Sequence, residues 1–538
     1  MSRDIPFLIF YPLAGGFSAE IRTMTTRPLW ARTGRLGSLP PVLVAALALA
    51  CSAQEDPIQS PNIVLILADD LGWQDVSFHG GAIDTPNIDR IANEGVELER
   101  FYVAPICAPT RTGLMTGRHP IRYGMMRGVV MAYHDFGLDP EATIIPQALA
   151  EAGYEHRGIF GKWHLGHARQ EFRPLQRGFT RFVGLLTEAF DYFTHERYGE
   201  VDWWHDDESV DEAGYSTDLI SKHAVEFVKQ HAGGDSPFFM YVPYNAPHSP
   251  FQAKEEHLPR YADLEGVPVE AVVGEGVGPE KYEWFGGHAM SRARLEDVEG
   301  RLKNRQITGA MIHSLDEGVG DILDALDEAG VANNTLVWFL SDNGGDTGIG
   351  ENRPFRGSKG NLFEGGIRVT AAARWPNGGV SGGGKIAAPL NYLDVMPTLM
   401  SLAGVTDKFD LELDGIDVMP AMQGEPVDHD REFFSYCGQL SNEREQLMAM
   451  DGDWKLIIIG PEPLDREALA SSQTMLFNLG QDPHEQSDVA EHNPEIVARM
   501  TEKALAFRAL QPEDHVPIFQ QGREGFVAPT RWELPYEK

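Results

Sequence analysis

Four short apolar runs end on polar residues of unusual chemistry, and this rhythm limits the fold more than any other feature of the chain. Asn62 to Leu67 runs into Asp69-Asp70, His156 to Phe160 into Lys162 and His164, Phe238 to Val242 into Asn245 and His248, and Leu336 to Leu340 into Asp342-Asn343. Helical patterns lie between them. Ile88, Ile91 and Ala92 mark one, Leu219, Ile220, Ala224, Phe227 and Val228 a second, and Ile307, Met311, Leu315, Val319, Ile322 and Leu326 a long third. Strands alternating with helices build an α/β fold with a large, mostly parallel sheet flanked by helices. In open sheets of this kind, ligands bind beyond the carboxyl ends of the strands. All four runs deliver their polar groups at that end, so four distant segments are expected to converge on one site.

Leu393 to Leu402 reads as a further helix that starts near Met396, because Pro397 is tolerated only in a first turn. After Gln423-Gly424 the pattern changes to short strand candidates, Phe433 to Tyr436, Met448 to Met450, Trp454 to Ile459 and Met475 to Leu479, followed by a helix from Pro494 to about Leu510. This predicts a smaller C-terminal α+β domain. The expected division is 1–50 as a signal peptide with an over-extended start, 51–425 as the catalytic domain, and 426–538 as the C-terminal subdomain and tail. Lys254 to Gly300 lacks periodicity and is long for a loop. It is expected to be a functional insertion or lid shaping a substrate cleft, with a surface excursion as the alternative.

Acidic residues number 80 against 45 basic ones, a formal charge of −35. Such a surface repels phosphate backbones, which excludes nucleic acid as a partner, and an anionic substrate would need a local basic pocket. Three cysteines, Cys51, Cys107 and Cys437, cannot form a disulfide framework. Export is read from the N-terminus instead. From Met24, Arg27, Arg32 and Arg35 precede an apolar run from Pro41 to Ala50 that is too short to span a bilayer. It ends Ala48-Leu49-Ala50-Cys51, which fits cleavage at a small-x-small site and, less closely, a lipoprotein signal that would acylate Cys51. A periplasmic or cell-surface location follows, with the membrane reached only through that lipid anchor.

Asp69 and Asp70 alone could be a helix cap and a solvated turn. Together with Asp342 and Asn343 they form three carboxylates and one amide oxygen, an all-oxygen set that suits calcium or magnesium. Cys107 alone would be a small buried hydrophobe. However, Pro109 can open a helix, which puts Cys107 at the positive end of its dipole with Arg111 one turn along, able to face the same anion. His164 and His248 taken singly are more often structural, and Lys162 and Lys359 more often surface residues.

Cys107-x-Pro109-x-Arg111 with Thr116-Gly117 resembles the signature of the type I, formylglycine-dependent sulfatases. The resemblance runs from Asn62 to about Arg499. It takes in Asp69-Asp70, Gly161-Lys162-Trp163-His164-Leu165-Gly166, Asn245-Ala246-Pro247-His248, Asp342-Asn343-Gly344-Gly345 and Arg356-Gly357-Ser358-Lys359 in the family's order. It implies an alkaline-phosphatase-like fold, and a Cys107 converted to formylglycine by a formylglycine-generating or other sulfatase-maturing enzyme. It further implies calcium held by Asp69, Asp70, Asp342, Asn343 and the modified Cys107. A formylglycine hydrate offers one hydroxyl to attack sulfur and a second whose deprotonation expels sulfate. By the same resemblance Asp342 takes the nucleophile's proton, His164 is the base that breaks down the sulfate adduct, and His248 or Lys359 protonates the leaving oxygen. Arg111, Lys162 and Lys359 balance the sulfate charge.

Leu175-Gln176-Arg177-Gly178-Phe179, Asp191-Tyr192-Phe193-Thr194-His195-Glu196 and Phe363-Glu364-Gly365-Gly366 are similar to the N-acetylgalactosamine-4-sulfatase (arylsulfatase B) branch. This implies a sulfated glycan substrate, with His195, Glu196 and Trp204 in a sugar subsite or, equally, in packing. Two alternatives compete with sulfate-ester hydrolysis. One is a phosphonate or phosphate monoester hydrolase of the same superfamily, which a single ligand set disfavours; the other is a non-catalytic glycan-binding surface lipoprotein, which would be expected to lack one of the catalytic residues.

Overall fold

The computed structural model describes residues 60–273, 296–426, 431–441, 444–461 and 464–534. The expected signal peptide and Cys51 lie outside the described residues. No helix among the described residues is long and apolar enough to cross a membrane.

A ten-stranded sheet runs in the order Gly384–Ile386, Val96–Leu98, Ala371–Arg374, Thr335–Ser341, Asn62–Ala68, Phe238–Pro243, His156–Lys162, Arg181–Leu185, Trp204–His205, Glu208–Ser209. Its middle five strands, from Thr335–Ser341 to Arg181–Leu185, are parallel. Antiparallel pairings attach the outer strands at both sides, except that the edge strand Gly384–Ile386 pairs parallel with Val96–Leu98. The four predicted strands are all in the centre, where a strand buried on both faces reads as a continuous apolar run. Side chains of Asn62–Ala68 alternate between two cores. Ile63, Leu65 and Leu67 join one that includes helices Ile145–Ala150 and Val395–Leu402; Val64, Ile66 and Ala68 join another under helices Pro86–Glu94, Ser216–His231 and Val298–Glu328.

Register brings the strand ends level. Leu67 lies opposite both Pro243 and Leu340, and Ala68 opposite Ser341. The approach is close enough to demand glycine at one point: Gly161 has φ +127°, and a Cβ there would sit 2.0 Å from the carbonyl oxygen of Pro243.

The C-terminal strands Glu432–Ser441, Arg444–Asp451, Trp454–Pro461 and Gln473–Asn478 form a separate antiparallel sheet. Helix Pro494–Arg508 covers one face through Met500, Ala504 and Phe507. The other face, with Met448, Ile457, Met475 and Phe477, packs on Tyr102, Phe363 and Ile367. An ion cluster crosses the same junction. The Lys455 ammonium lies 2.9 Å from Glu364 Oε1 and 2.8 Å from Glu485 Oε1, and all three side chains are fully buried.

Lys254 to Gly300 is less of an excursion than its sequence suggests. Its described part, up to Val273, carries the short helices Leu258–Tyr261 and Val269–Val273 and buries Tyr261, Val267 and Val272. The Gly357 N–H donates to the Val272 carbonyl at 3.1 Å, which braces the loop bearing Lys359. Arg301 is buried in the long helix. Residues 274–295 lie outside the described residues.

Candidate active site

Cys107 is the first residue of a fully buried helix, Cys107–Thr116, with Pro109 in its first turn and Gly117 closing it in the left-handed conformation. Asp69 and Asp70 follow the strand Asn62–Ala68, and Asp342 and Asn343 follow Thr335–Ser341, its neighbour in the sheet. The Asp70 N–H donates to Asp342 Oδ1 at 3.2 Å, and Asn343 Nδ2 donates to Asp70 Oδ1 at 2.7 Å. Asp70 and His164 hold positive φ values of 69° and 57°, backbone strain that folded proteins keep chiefly where geometry serves function.

Three cations hold the three acids. Lys162 Nζ lies 2.5 Å from Asp69 Oδ2, and Lys359 Nζ lies 2.7 and 2.8 Å from the two oxygens of Asp70. The Arg111 fork donates to Asp342 Oδ2 at 3.2 and 2.8 Å and to the Lys162 carbonyl at 2.9 Å. Arg111 therefore does not present its guanidinium to the anion face, as its helix position suggested. Its donors are spent on the Asp342 carboxylate and the Lys162 carbonyl, with Asp69 Oδ2 also 3.4 Å away.

Burial pushes the Asp342 carboxyl up to about 7, with Asp69 adding to the effect and Arg111 opposing it. Burial also raises Asp70 despite Lys359. For Asp69, burial is outweighed by Lys162, His248 and Arg111, which together hold it well below the usual carboxylate range. Burial raises the Cys107 thiol to about 11, so an unmodified cysteine here is a poor nucleophile at neutral pH. His164 and His248 are both driven well below the usual imidazole range by burial, reinforced by Lys162 and Arg111 at His164 and by Lys359 at His248. His164 Nε2 lies 3.0 Å from the Val130 carbonyl, which can only accept, so this nitrogen carries the proton and the lone pair is on Nδ1. That Nδ1 is buried without a partner.

Two oxygens of the acid cluster, Asp69 Oδ1 and Asn343 Oδ1, are likewise buried with no hydrogen-bond partner. Ligand atoms of Asp69, Asp342 and Cys107 lie within 4.8 Å of one another. Unpaired buried oxygens are costly unless something is bound between them, and an oxygen-dominated donor set with buried counter-cations fits a hard dication.

A cavity of about 490 Å³ opens above this cluster, and Cys107, His164, His248 and Lys359 line it. Arg111, Lys162 and the acids lie behind its floor. Glu196 also lines it, together with Glu188, Arg197, Tyr198 and Phe519, which the sequence did not single out. His195 and Trp204 do not line it. His195 is buried and stacked on Trp203, while Trp204 donates its indole N–H to Asp202 Oδ1 at 2.8 Å and lies under the Arg173 guanidinium. Glu188 follows Arg181–Leu185, the fifth parallel strand, so it belongs to the same sheet edge as the other site residues.

Residues 61–405 match the family model described as Sulfatase. The chain is 30% identical to the N-acetylgalactosamine-6-sulfatase of Mus musculus over 84% of its own length and 86% of that protein. It is similar to the solved structure of Ps i-CgsB in complex with k-i-k-neocarrahexaose, with a TM-score of 0.71 and 28% identity over 87% of this chain and 96% of that one. The phosphonate monoester hydrolase of Agrobacterium radiobacter shares the fold, with a TM-score of 0.62 and 21% identity over 84% and 96% of the two chains. With the strand-end acids, the cysteine-bearing helix and the paired lysines assembled at one sheet edge, the chain belongs to the sulfatase family and is a sulfuric ester hydrolase.

Proposed function

We propose that this enzyme is exported and removes O-sulfate from a glycan, with Cys107 matured to formylglycine and calcium held by Asp69, Asp70, Asp342 and Asn343. The observation that carries the calcium assignment is the pair of buried, unpartnered oxygens on Asp69 and Asn343 beside Cys107. When present, formylglycine supplies a hydroxyl nucleophile that can later revert to aldehyde, and calcium supplies positive charge that polarises the sulfate. The chain's own residues do the rest. Arg111 and Lys162 fix the carboxylates from below; Asp342 is placed to accept the nucleophile's proton; His164 offers a bare Nδ1 as base; and Lys359 and His248 face the cavity where the leaving oxygen departs.

Glycan specificity is supported by the k-i-k-neocarrahexaose named with the related Ps i-CgsB structure and by the N-acetylgalactosamine-6-sulfatase name of the mouse relative. A phosphonate hydrolase is disfavoured because the likeness to the Agrobacterium enzyme is one of fold alone, and the acids form one ligand set rather than two bridged ones. Peptide mass spectrometry of fully active enzyme should find formylglycine at position 107; unmodified cysteine in such material would overturn the mechanism. Specificity constants should favour sulfated oligosaccharides over small aryl sulfates, because remote sugar contacts contribute to transition-state binding. A preference for aryl sulfates or phosphate esters would overturn the glycan assignment.

A further inference from the structure

At the outer edge of the large sheet, away from the cavity, a second set of ligand-type side chains converges. His205 ends the two-residue strand Trp204–His205, Glu212 lies beyond Glu208–Ser209, and His223 is on helix Ser216–His231. His205 Nε2 is 3.0 Å from Glu212 Oε2, and His223 Nε2 is 3.0 Å from both Glu212 oxygens. The three ligand atoms lie within 4.8 Å of one another.

The second nitrogen of His223, Nδ1, faces Glu226 Oε2 at 3.1 Å, so both ring nitrogens point at carboxylates. The imidazolium donates at both nitrogens, whereas the neutral ring has one N–H and leaves its other nitrogen free to act as a metal ligand. With a metal ion in place of the Nε2 proton, His223 and Glu212 would share the ion while Nδ1–H donates to Glu226, the carboxylate–histidine–metal relay that orients metal-binding histidines. Glu212 is itself fixed from outside, accepting from Trp203 Nε1 at 3.0 Å and Lys222 Nζ at 2.9 Å. In a tetrahedral zinc site with bonds of about 2.0–2.1 Å, neighbouring ligand atoms lie roughly 3.3 Å apart, close to the spacing seen here.

We propose that His205, Glu212 and His223 bind a zinc ion, with water as the fourth ligand. Two imidazoles and one carboxylate favour zinc over calcium, so this site and the oxygen cluster at Cys107 select different metals. Partial exposure of His205 and Glu212 leaves the fourth position open to solvent. The site would be structural. It ties a hairpin of two-residue strands, too short to hold itself, to a sixteen-residue helix. Trp203, which donates to Glu212, also stacks on His195, next in the chain to the cavity residues Glu196 and Arg197.

The test is cobalt titration of the full-length protein after chelation, with calcium in excess to occupy the oxygen cluster. The expected result is one equivalent of cobalt giving a visible d–d band typical of four- or five-coordinate nitrogen-containing sites, displaced by one equivalent of zinc. His205→Gln should abolish the band. Glu226→Gln, a change at an exposed position, should weaken cobalt binding about 10–100-fold, with the far-UV circular dichroism of the parent retained. Absence of the band in the parent protein, or an unchanged band in His205→Gln, would overturn the proposal; so would unaltered cobalt affinity in Glu226→Gln.

Discussion

Replacing Lys455 by Met removes the one cation between Glu364 and Glu485 while keeping most of the side chain's volume. All three groups are fully buried, so neither carboxylate can recruit solvent in compensation. Removing one partner of a buried ion pair costs about 3–5 kcal/mol, because the remaining charge is left uncompensated. Arg368 lies 3.5 Å from Glu364 Oε2, and the Glu364 N–H donates to Glu485 Oε2 at 2.6 Å; these contacts place the loss at the lower end. With an unfolding entropy near 2.1 cal/mol/K per residue over roughly 450 residues, about 1 kcal/mol shifts the midpoint by 1 °C, so Tm should fall by about 3 °C. The loss should also depend on pH. Burial, reinforced by Glu364, already raises Glu485 to about 7 against the pull of Lys455. Without that lysine a carboxyl of the pair keeps its proton in the folded state to still higher pH. A raised folded-state acid binds more protons than its unfolded counterpart, so stability is lost as pH rises from about 4.5 upward. Urea unfolding followed by tryptophan fluorescence at pH 5 and pH 8 measures both quantities. A loss under 1 kcal/mol, or a variant relatively more stable at pH 8, would refute this account of the junction.

Asp342→Ala removes an oxygen proposed as a calcium ligand and frees Arg111, and should abolish stoichiometric calcium binding by calorimetry and lower kcat at least ~100-fold; retained metal and turnover would reject the ligand assignment. Exhaustive chelation should likewise abolish turnover, and added calcium should restore it, as read by sulfate release. Gly161→Ala puts a methyl group against the Pro243 carbonyl at a φ that alanine resists, and should cost about 3 kcal/mol or more in denaturant unfolding.

The central strands and their terminal residues were legible because strands buried on both faces are continuous apolar runs, each ending abruptly on charge. The fifth parallel strand was not: Arg181 opens it and Gly184 interrupts it, so Glu188 at its end went unnoticed. Phe519 lies in a tail without periodicity and reaches the cavity through tertiary contacts, including the Tyr133 hydroxyl donating to its carbonyl. His195 and Trp204 show the converse limit. A loop rich in aromatics and histidine reads the same whether its rings face a sugar or, as here, one another and Arg173. The Cys107-x-Pro109-x-Arg111 spacing places Arg111 near the site, but only the fold shows that it donates to Asp342 and to the Lys162 carbonyl.

The placement of Asn62–Ala68 at the middle of the sheet has a consequence for how the chain is made. This strand is synthesised well before its neighbours, and the partner on one flank, Thr335–Ser341, follows 273 residues later, the separation of Asp70 from Asn343. At roughly 5–20 residues per second, translation leaves that flank unpaired for roughly 14–55 s. During this interval an uncharged apolar ribbon exposes its backbone donors and acceptors, an invitation to pair with other chains. Yield of soluble enzyme should therefore be governed by what shields this ribbon during synthesis, such as lower temperature or a holdase chaperone, more than by the stability of the finished sheet.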